Sequence, residues 1–458
     1  MNISELVNNQ KHFFKSQQTK DIDFRLKLLK ALKDEILSRE KDIYNALQND
    51  FNKPPFETFI SEFGLVISEL NLVTKNLKKW TRPKRIKSSL LTFPSRDFIY
   101  KEPYGTILIM GPWNYPFLLT MEPVIMAIAA GNTAVLKPSE LTKHTSRLVQ
   151  EILEKIFKSN HVVICQGGVD VAKELLDQKW DYIFFTGSVR VGKIIAKAAA
   201  KNLTPVTLEL GGKTPCIIDD TIDLNLVSKR IVWGKLLNYG QTCISPDYIL
   251  VKKEVKDDFI RHIKIRIIKA YGENPQKSKD LPRVINQQNF LRLKNLLKDV
   301  DVVFGGDIDE SDLYIAPTLV NEPAIDSALM SDEIFGPILP ILTYDNEKDI
   351  EKIIWSYEKP LSLYVFSMNN KFVDSIISKY NFGGGVINDT LVHFGNHRLP
   401  FGGVGASGMG AYHGKLGFDT FSHEKSIIKR GTWTDPPVRY APYKGKLKLM
   451  KKMFKWFG

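Results

Sequence analysis

Short apolar runs, each followed by a loop and a helical stretch, recur along most of the chain. Near the start, Phe24, Leu28, Leu32 and Ile36 recur every four residues, which predicts an amphipathic helix lying on a larger body. Further on, buried runs that alternate with helical segments indicate βαβ units and a parallel sheet. The predicted strands form a first set at 107–110, 133–136, 162–165 and 182–185, and a second set at 206–210, 216–218, 363–366 and 385–388.

Two such sets in series predict an α/β protein with two domains. The boundary falls near ELGGK at 209–213, where Gly211 and Gly212 would let the backbone turn sharply. Segment 81–105 breaks the βα rhythm and predicts a β-hairpin arm. An isolated two-stranded ribbon is marginal, so such an arm needs a partner surface. An irregular surface loop fits these residues equally well.

Composition places the chain among ordinary globular proteins. Hydrophobic residues make up 43% of the 458 positions and aromatic residues 11%, which excludes intrinsic disorder. The three cysteines, Cys165, Cys216 and Cys243, exclude a disulfide scaffold and suit a reducing compartment. No secretory signal is visible at the N-terminus, and the most apolar stretch, 117–131, is too short to span a bilayer. We therefore expect a cytoplasmic protein.

The net charge of +13 is concentrated at the C-terminus. From residue 425 onward ten Lys and Arg face Asp435 alone, so this segment carries +9 and the rest of the chain +4. A nearly neutral body argues against a nucleic-acid-binding face. Within the tail, lysines alternate with apolar residues at helical spacing, which predicts a short basic helix on an anionic membrane surface. A helix docked on a dimer, or a frayed end, fits the same pattern, whose apolar positions are Met450, Met453, Phe454 and Phe457.

Cys243 is the candidate nucleophile. It lies in the loop sequence YGQTCISP, whereas Cys165 and Cys216 lie in strand-like runs and are predicted to be buried and inert. A thiol is intrinsically nucleophilic even though it is mostly protonated near neutral pH. Without its neighbours, a loop cysteine is more often incidental than catalytic.

Two other motifs supply the groups that a nucleophile attacking a carbonyl needs. Glu209 ends the apolar strand in LELGGK, where burial would raise its pKa toward that of a general base. Asn114 follows Trp113 in GPWNYP, just after a strand, and its neutral amide suits stabilisation of an oxyanion. A salt-bridged carboxylate and a turn-capping asparagine are the respective structural alternatives.

Three further segments suit a dinucleotide. In FTGSVRVGK, Gly187 and Ser188 close a strand before a helix whose free N–H groups attract phosphate, although the residue after Lys193 is not the Ser or Thr of a P-loop. Lys137 and Glu140 in LKPSE suit the hydroxyls of an adenosine ribose. Packing glycines and surface charge pairs are the alternatives. In EIFGP, a carboxylate and an aromatic ring could hold a second ribose and its base, from Glu333 and Phe335.

Together these motifs make the chain resemble the NAD(P)-dependent aldehyde dehydrogenases. GPWNYP, LKPSE, FTGSVRVGK, ELGGK, GQTC, EIFGP and PFGGVGASGMG stand in that family's order and spacing, and the class 3, fatty-aldehyde branch is the most similar. The resemblance implies an α/β fold with a variant Rossmann cofactor-binding domain, an α/β catalytic domain and a small β-arm for oligomerisation. These parts are expected at 1–80 with 106–208, at 209–420, and at 81–105 with 421–435, followed by the basic tail at 436–458.

The resemblance also implies a reaction. Cys243 attacks an aldehyde, the Asn114 side chain and the Cys243 backbone N–H hold the oxyanion, and a water activated by Glu209 hydrolyses the thioester. The expected substrate is a medium- to long-chain aliphatic or an aromatic aldehyde, the cofactor is NAD or NADP, and the assembly is a homodimer. No residue is assigned to a metal. The implied cofactor-binding residues are Trp113, Lys137, Glu140, Gly187, Ser188, Gly192, Leu210, Glu333 and Phe335.

Two other functions remain open at this point. A CoA-acylating or acyl-phosphate-reducing relative would also use a cysteine thioester, but it need not keep the carboxylate of Glu209. A basic scaffold for membranes or nucleic acid rests on charge alone. For the enzyme, a carboxylate at Glu140 favours NAD because it would repel a 2′-phosphate, although the class 3 branch accepts both cofactors.

Overall fold

The computed structural model describes residues 2–89 and 92–457, without the side chains of Trp456 and Phe457. Leu90 and Leu91 of the predicted arm, Gly458 of the predicted tail and the Phe457 side chain of its apolar face lie outside that description. The helices are α1 (Ile3–Lys15), α2 (Ile22–Ser38), α3 (Glu40–Phe51), α4 (Pro55–Thr58), α5 (Gly64–Trp80), α6 (Leu118–Ala130), α7 (Lys143–Ile156), α8 (Val169–Leu176), α9 (Val189–Ala200), α10 (Leu224–Leu236), α11 (Lys256–Tyr271), α12 (Gln287–Leu296), α13 (Ala328–Ser331), α14 (Glu347–Ile354), α15 (Asn370–Lys379), α16 (Gly414–Thr420) and α17 (Lys446–Phe457).

The strands belong to four sheets. They are β1 (Lys84–Ile86), β2 (Ser95–Pro103), β3 (Thr106–Met110), β4 (Thr133–Lys137), β5 (Val162–Ile164), β6 (Tyr182–Thr186), β7 (Val206–Glu209), β8 (Pro215–Ile218), β9 (Tyr248–Lys252), β10 (Val302–Phe304), β11 (Ile308–Asp309), β12 (Tyr314–Ile315), β13 (Thr318–Asn321), β14 (Ile338–Tyr344), β15 (Ser362–Phe366), β16 (Gly384–Ile387), β17 (Gly408–Met409) and β18 (Ser422–Arg430).

A six-stranded sheet, ordered β17-β7-β6-β3-β4-β5, confirms the predicted first set of βαβ units. Every residue of β3, β4 and β6 is buried, because helices cover both faces of the sheet. Helix α6 is buried along its whole length on one of those faces. It occupies the apolar stretch 117–131, and in the described part of the chain no helix combines the length and apolar character needed to cross a bilayer.

Strand β7 corrects the grouping of 206–210 with the second set. It pairs in parallel with β6 and in antiparallel fashion with β17, so it belongs to the first sheet. A single helix, α9, joins β6 to β7, and a crossover of that kind returns the chain to the neighbouring position of the same sheet. The pairing sets Glu209 opposite Thr186 on one side and Gly408 on the other.

The second set builds a seven-stranded sheet ordered β10-β13-β14-β9-β8-β15-β16. Neighbours from β13 to β16 are parallel, and separate apolar clusters cover the two faces. This sheet therefore has the buried parallel character that the sequence predicts. The structure as a whole therefore has the predicted α/β fold. The domain boundaries inferred from the sequence remain predictions.

The predicted arm is a three-stranded antiparallel sheet ordered β1-β2-β18. Strand β2 pairs with β18 along nine residues, so parts of segments 81–105 and 421–435 meet in one sheet. A salt bridge of 2.6 Å between Lys425 and Glu102 adds to this pairing. The tail ends in helix α17, which has the helical form predicted from its spacing.

Candidate active site

The predicted site motifs meet at one edge of the six-stranded sheet. Strands β3, β4, β6 and β7 are parallel, so the loops that follow them leave the sheet on the same side. The strand order reverses between β3 and β6, and ligands of open α/β sheets bind outside the carboxyl ends of the strands at such a point. The predicted site residues lie at these strand ends. Trp113 and Asn114 follow β3, Lys137 ends β4 with Glu140 just beyond it, Gly187 and Ser188 follow β6, and Glu209 ends β7 directly before Leu210.

Cys243 comes to this edge from the seven-stranded sheet, in the loop between α10 and β9. The turn before it is tight, because Asn238, Tyr239 and Gly240 have φ angles of +54°, +62° and +73°. A Cβ at Gly240 would lie 2.3 Å from the carbonyl oxygen of Gly336, so only glycine fits there. Cys165, directly after β5, and Cys216, within β8, are both buried, as the sequence predicts.

Asn114 is bonded to the Cys243 loop. Its side-chain nitrogen donates to the carbonyl oxygen of Gln241 at 3.1 Å, and its own carbonyl oxygen accepts from the Asn238 side chain at 2.8 Å. The Gln241 side chain is fixed in turn by the N–H of Ile285 at 3.0 Å. An amide nitrogen carries two hydrogens, so the Gln241 bond uses one and leaves the other available to an acceptor beside Cys243.

Cys243 and Glu209 line the same cavity, which has a volume of about 280 Å³. Thr186 and Tyr412 lie beside them on its wall. Most of the remaining lining is apolar, so the cavity offers few partners to a polar substrate and a large surface to a hydrocarbon chain. Its apolar lining includes Leu118, Leu119, Trp233, Leu237, Phe394 and Phe401.

Burial raises the pKa of both Cys243 and Glu209. For Cys243 it acts together with the charges of Glu333 and Glu209, against backbone N–H groups that point at the sulfur. Glu209 is 3% exposed, and neither carboxyl oxygen has a hydrogen-bond partner within the described chain. Burial therefore raises the pKa of Glu209 well above its ordinary value. A carboxylate that binds a proton more tightly is a stronger general base.

The start of helix α9 fits the phosphates of a dinucleotide. The hydroxyl of Ser188 caps its first turn, and the N–H of Gly187 donates to the carbonyl oxygen of Glu209 at 3.0 Å. A Cβ at Gly192 would lie 2.7 Å from the Leu210 side chain, so the glycine allows α9 to pack closely against the end of β7. The free N–H groups of this helix therefore face the edge where the other site loops gather.

Lys137 and Glu140 form a pair at the end of β4. Their charged atoms are 3.0 Å apart, and the Lys137 ammonium also donates to the carbonyl oxygen of Pro138 at 3.1 Å. Lys137 is buried, whereas the Glu140 side chain is 44% exposed. The pair thus offers an accessible carboxylate in a fixed position, which fits a ribose hydroxyl.

Glu333 lies against the glycine pair of ELGGK. A Cβ at Gly211 would be 2.0 Å from a Glu333 carboxyl oxygen, and the N–H of Gly212 donates to the same carboxyl group. Neither glycine has a positive φ, and at Gly211 the missing side chain makes room for this close approach of Glu333. Burial, followed by the charge of Asp247, raises the pKa of Glu333 to about 8.

Phe335 faces Trp113 across the site, with ring centres 5.2 Å apart and planes at 80°. Its φ of +52° is unusual for a bulky residue, and such strain persists where the surrounding structure over-determines it. The structure therefore brings the residues predicted for catalysis and for the cofactor to one edge, where they fit a dinucleotide.

One supporting pair beside Glu333 was missed in the sequence. Lys213 and Asp247 form a buried salt bridge of 2.6 Å. Lys213 also donates to the carbonyl oxygen of Asp332 at 3.0 Å, and Asp247 accepts the N–H of Ile334 at 2.9 Å. The pair thus holds the residues on both sides of Glu333. The sequence signal that could have indicated this pair is Lys213 itself, because it is the last residue of the ELGGK motif.

A second buried pair supports the loop that carries Asn114. Lys53 and Glu62 lie 2.5 Å apart with fully buried side chains. The other oxygen of Glu62 accepts the N–H groups of Phe117 and Leu118 at 2.9 and 3.2 Å, at the start of α6. The Lys53 ammonium lies 4.1 Å from the centre of the Tyr115 ring. Lys53 and Glu62 themselves lie outside every motif that the sequence singles out.

Comparisons with known proteins agree with this site. The aldehyde dehydrogenase family matches residues 1–427. The chain is 48% identical to the 4,4'-diaponeurosporen-aldehyde dehydrogenase of Staphylococcus aureus over 99% of both chains, and 44% identical to aldehyde dehydrogenase family 3 member A2 of Rattus norvegicus over 95% of this chain and 90% of that one.

The substrate-bound structure of Staphylococcus aureus AldH superposes with a TM-score of 0.97, covering 99% of this chain and 100% of that chain at 48% identity. The resemblance to the class 3 branch is confirmed. The chain therefore belongs to the aldehyde dehydrogenase family and oxidises aldehydes to carboxylic acids with NAD or NADP as its cofactor.

Proposed function

We propose that this enzyme oxidises medium- to long-chain, apolar aldehydes through a covalent intermediate on Cys243. The observation that carries the proposal is the apolar cavity that contains both Cys243 and Glu209. An apolar lining favours a hydrocarbon chain because burying apolar surface stabilises the bound state by about 25 cal/mol for each Å². A Staphylococcus aureus relative that is 48% identical is named 4,4'-diaponeurosporen-aldehyde dehydrogenase.

Each catalytic residue has one task. The Cys243 sulfur attacks as the thiolate that the preceding hydrolysis leaves, and forms a bond to the aldehyde carbon, while the Asn114 amide with the Cys243 backbone N–H stabilises the resulting oxyanion. Bound NAD(P)+ supplies the hydride acceptor that makes the oxidation possible. Glu209 then takes a proton from water while the water oxygen bonds to the acyl carbon and the C–S bond breaks, so that the acid leaves.

A panel of aldehydes of increasing chain length tests the substrate class. We expect kcat/KM to rise with chain length for the wild type, because each added methylene buries more apolar surface. Cys243→Ala should abolish oxidation. Cys165→Ala, which changes a buried cysteine directly after β5, should retain it. A preference for short or charged aldehydes would overturn the proposal.

Glu209→Gln separates hydrolysis from acyl transfer to another acceptor. The variant should still form one equivalent of NADH in a burst, and it should then stall because the thioester persists. Continued turnover when CoA or phosphate is added would instead indicate an acyl-transferring relative. Turnover that is unchanged in water alone would contradict the role of Glu209.

The three-stranded sheet supports a homodimer. Strand β18 forms its outer edge in the described structure, and such a long edge is a template for pairing with another chain. Ile427 and Ile428 on this strand are 41% and 53% exposed. Ile428→Lys should shift the enzyme toward monomer in light scattering, whereas Ile265→Lys, equally exposed on α11, should not. An unchanged mass for the Ile428 variant would argue against this interface.

The C-terminal helix supports contact with an anionic membrane. In α17, Leu447 and Phe454 are 66% and 54% exposed among lysines, as expected of a helix that lies at a lipid surface. The full chain should sediment with vesicles containing phosphatidylserine, and less so at high salt. A chain ending before Lys446 should stay in the supernatant. Equal partitioning of the two chains would count against membrane attachment.

A further inference from the structure

Two glutamates and two histidines form a cluster behind the wall of the cavity. Glu122 lies on α6 and Glu69 on α5, and both side chains are almost fully buried. His413 approaches Glu122 to 3.3 Å, and His397 approaches Glu69 to 2.8 Å. The centres of the two imidazole rings are 5.6 Å apart, so the four side chains form one continuous row of ionisable groups.

This cluster connects the cavity with the surface. At its inner end, Tyr412 precedes His413 and lines the cavity together with Glu209. The His413 ring packs against Phe394 and Tyr412 of the cavity wall, with ring centres 4.6 and 5.4 Å apart. At the outer end, the second ring nitrogen of His397 lies 3.1 Å from the hydroxyl of the exposed Ser68.

The polar atoms of the cluster are poorly satisfied by protein groups. Within the described chain, both carboxyl oxygens of Glu69, Glu122 and Glu209 lack a hydrogen-bond partner, and so does the hydroxyl of Tyr412. The His397 and Glu69 atoms lie within bonding distance, but the N–H does not point at the oxygen. A buried pair that served stability alone would be aligned, whereas such a concentration of unpartnered atoms calls for ordered water.

The backbone is strained where it brings the histidines together. His413 has a φ of +107°, which side chains rarely adopt. A Cβ at the following Gly414 would lie 2.2 Å from the carbonyl oxygen of His397. The chain thus maintains a costly conformation at the contact between the two halves of the cluster.

We propose that Glu122, His413 and His397, with Glu69 beside His397 and with intervening water, carry protons from Glu209 to solvent beside Ser68. The proposal rests on the proposed role of Glu209 in hydrolysis. Water and the Cys243 thioester yield the acid and the Cys243 thiolate, and the proton that water loses moves to Glu209. That proton must leave before the next hydrolysis, and it passes along the cluster to bulk water.

Glu122→Gln and His413→Gln test the route with an activated ester. p-Nitrophenyl acetate acylates Cys243 without a cofactor, so the burst of p-nitrophenolate reports acylation and the later steady rate reports hydrolysis. We expect an unchanged burst and a steady rate reduced by about tenfold or more in both variants. Added imidazole or formate should restore part of that rate, because a small acid or base can carry the proton that the missing group carried.

His161→Gln is the matched control, because His161 is also a buried histidine but packs among Phe13, Phe24 and Phe157 outside the cluster. It should change neither phase. His397→Gln, at the partly exposed end, should show a smaller loss of the steady rate and provides the test if an inner variant fails to fold. The proposal is overturned if the steady rate is unchanged in folded variants, or if burst and steady rate fall together without rescue. A Cys243→Ala enzyme that still shows a burst would instead overturn the proposed function.

Discussion

Removing one charge of the buried Lys53–Glu62 pair should destabilise the protein more than removing both. In Lys53→Met, Glu62 keeps its two backbone N–H donors but loses the ammonium 2.5 Å away. A buried ion that loses its partner costs about 3–5 kcal/mol. The unfolding entropy is about 2.1 cal/mol/K per residue, hence about 1 kcal/mol/K for 458 residues. We therefore expect Tm to fall by about 3–5 °C if the chain unfolds as one unit.

The double variant and the pH dependence identify the cause. Lys53→Met/Glu62→Gln should recover more than half of the lost Tm, because the Gln side-chain oxygen can still accept from Phe117 and Leu118. Burial already raises the pKa of Glu62, and the loss of Lys53 raises it further. A group with a raised pKa in the folded state loses its contribution to stability as pH rises through that pKa.

The deficit of Lys53→Met should consequently be larger at about pH 8 than at about pH 5 in scanning fluorimetry. A double variant no more stable than the single one would refute this reasoning. So would a deficit that is independent of pH.

Four other substitutions test the site and its surroundings. Gly211→Ala should raise KM for the cofactor with little change in Tm, because its Cβ would displace only the flexible end of Glu333. Gly240→Ala should instead lower Tm, because its Cβ would meet backbone atoms. Similar effects of the two variants on Tm and on KM would contradict this reasoning. Burial raises the pKa of Glu57 to about 7, so its contribution to stability is present below the unfolded-state pKa and is lost as pH rises through about 7. Glu57→Gln should therefore flatten Tm between about pH 5 and about pH 8, and a wild-type slope in the variant would disprove it. Glu140→Gln should raise activity with NADP relative to NAD, because a negative charge beside the ribose is removed, and an unchanged ratio would show that Glu140 does not face the 2′ position.

The strands were predictable where a short apolar run is buried on both faces. Residues 107–110 and 182–185 have no polar position, so only the interior of a sheet suits them. Residues 206–210 were placed in the wrong set, because local pattern does not say which neighbour a strand pairs with. That choice depends on the crossover through α9 and on the contact with β17, about 200 residues away.

The chemistry of the site was predictable where a motif keeps several groups close in sequence. The supporting pairs were not, because each joins side chains from separate elements. Lys213 and Asp247 are 34 residues apart, and His413 approaches Glu122 from a different part of the chain. The positive φ angles of Phe335 and Tyr239 could not be predicted from the sequence either, since neither side chain favours that conformation.

The order of synthesis places a constraint on this sheet. Gly408 and Met409 pair with Glu209 and Leu208, so β7 has its outer neighbour only after about 200 further residues have been synthesised. A nascent chain would present Cys243 long before β17 leaves the ribosome. Products of premature termination before Gly408 should therefore hold Cys243 beside an incomplete sheet edge, which exposes them to chaperones and proteases and ties enzymatic competence to synthesis beyond Met409.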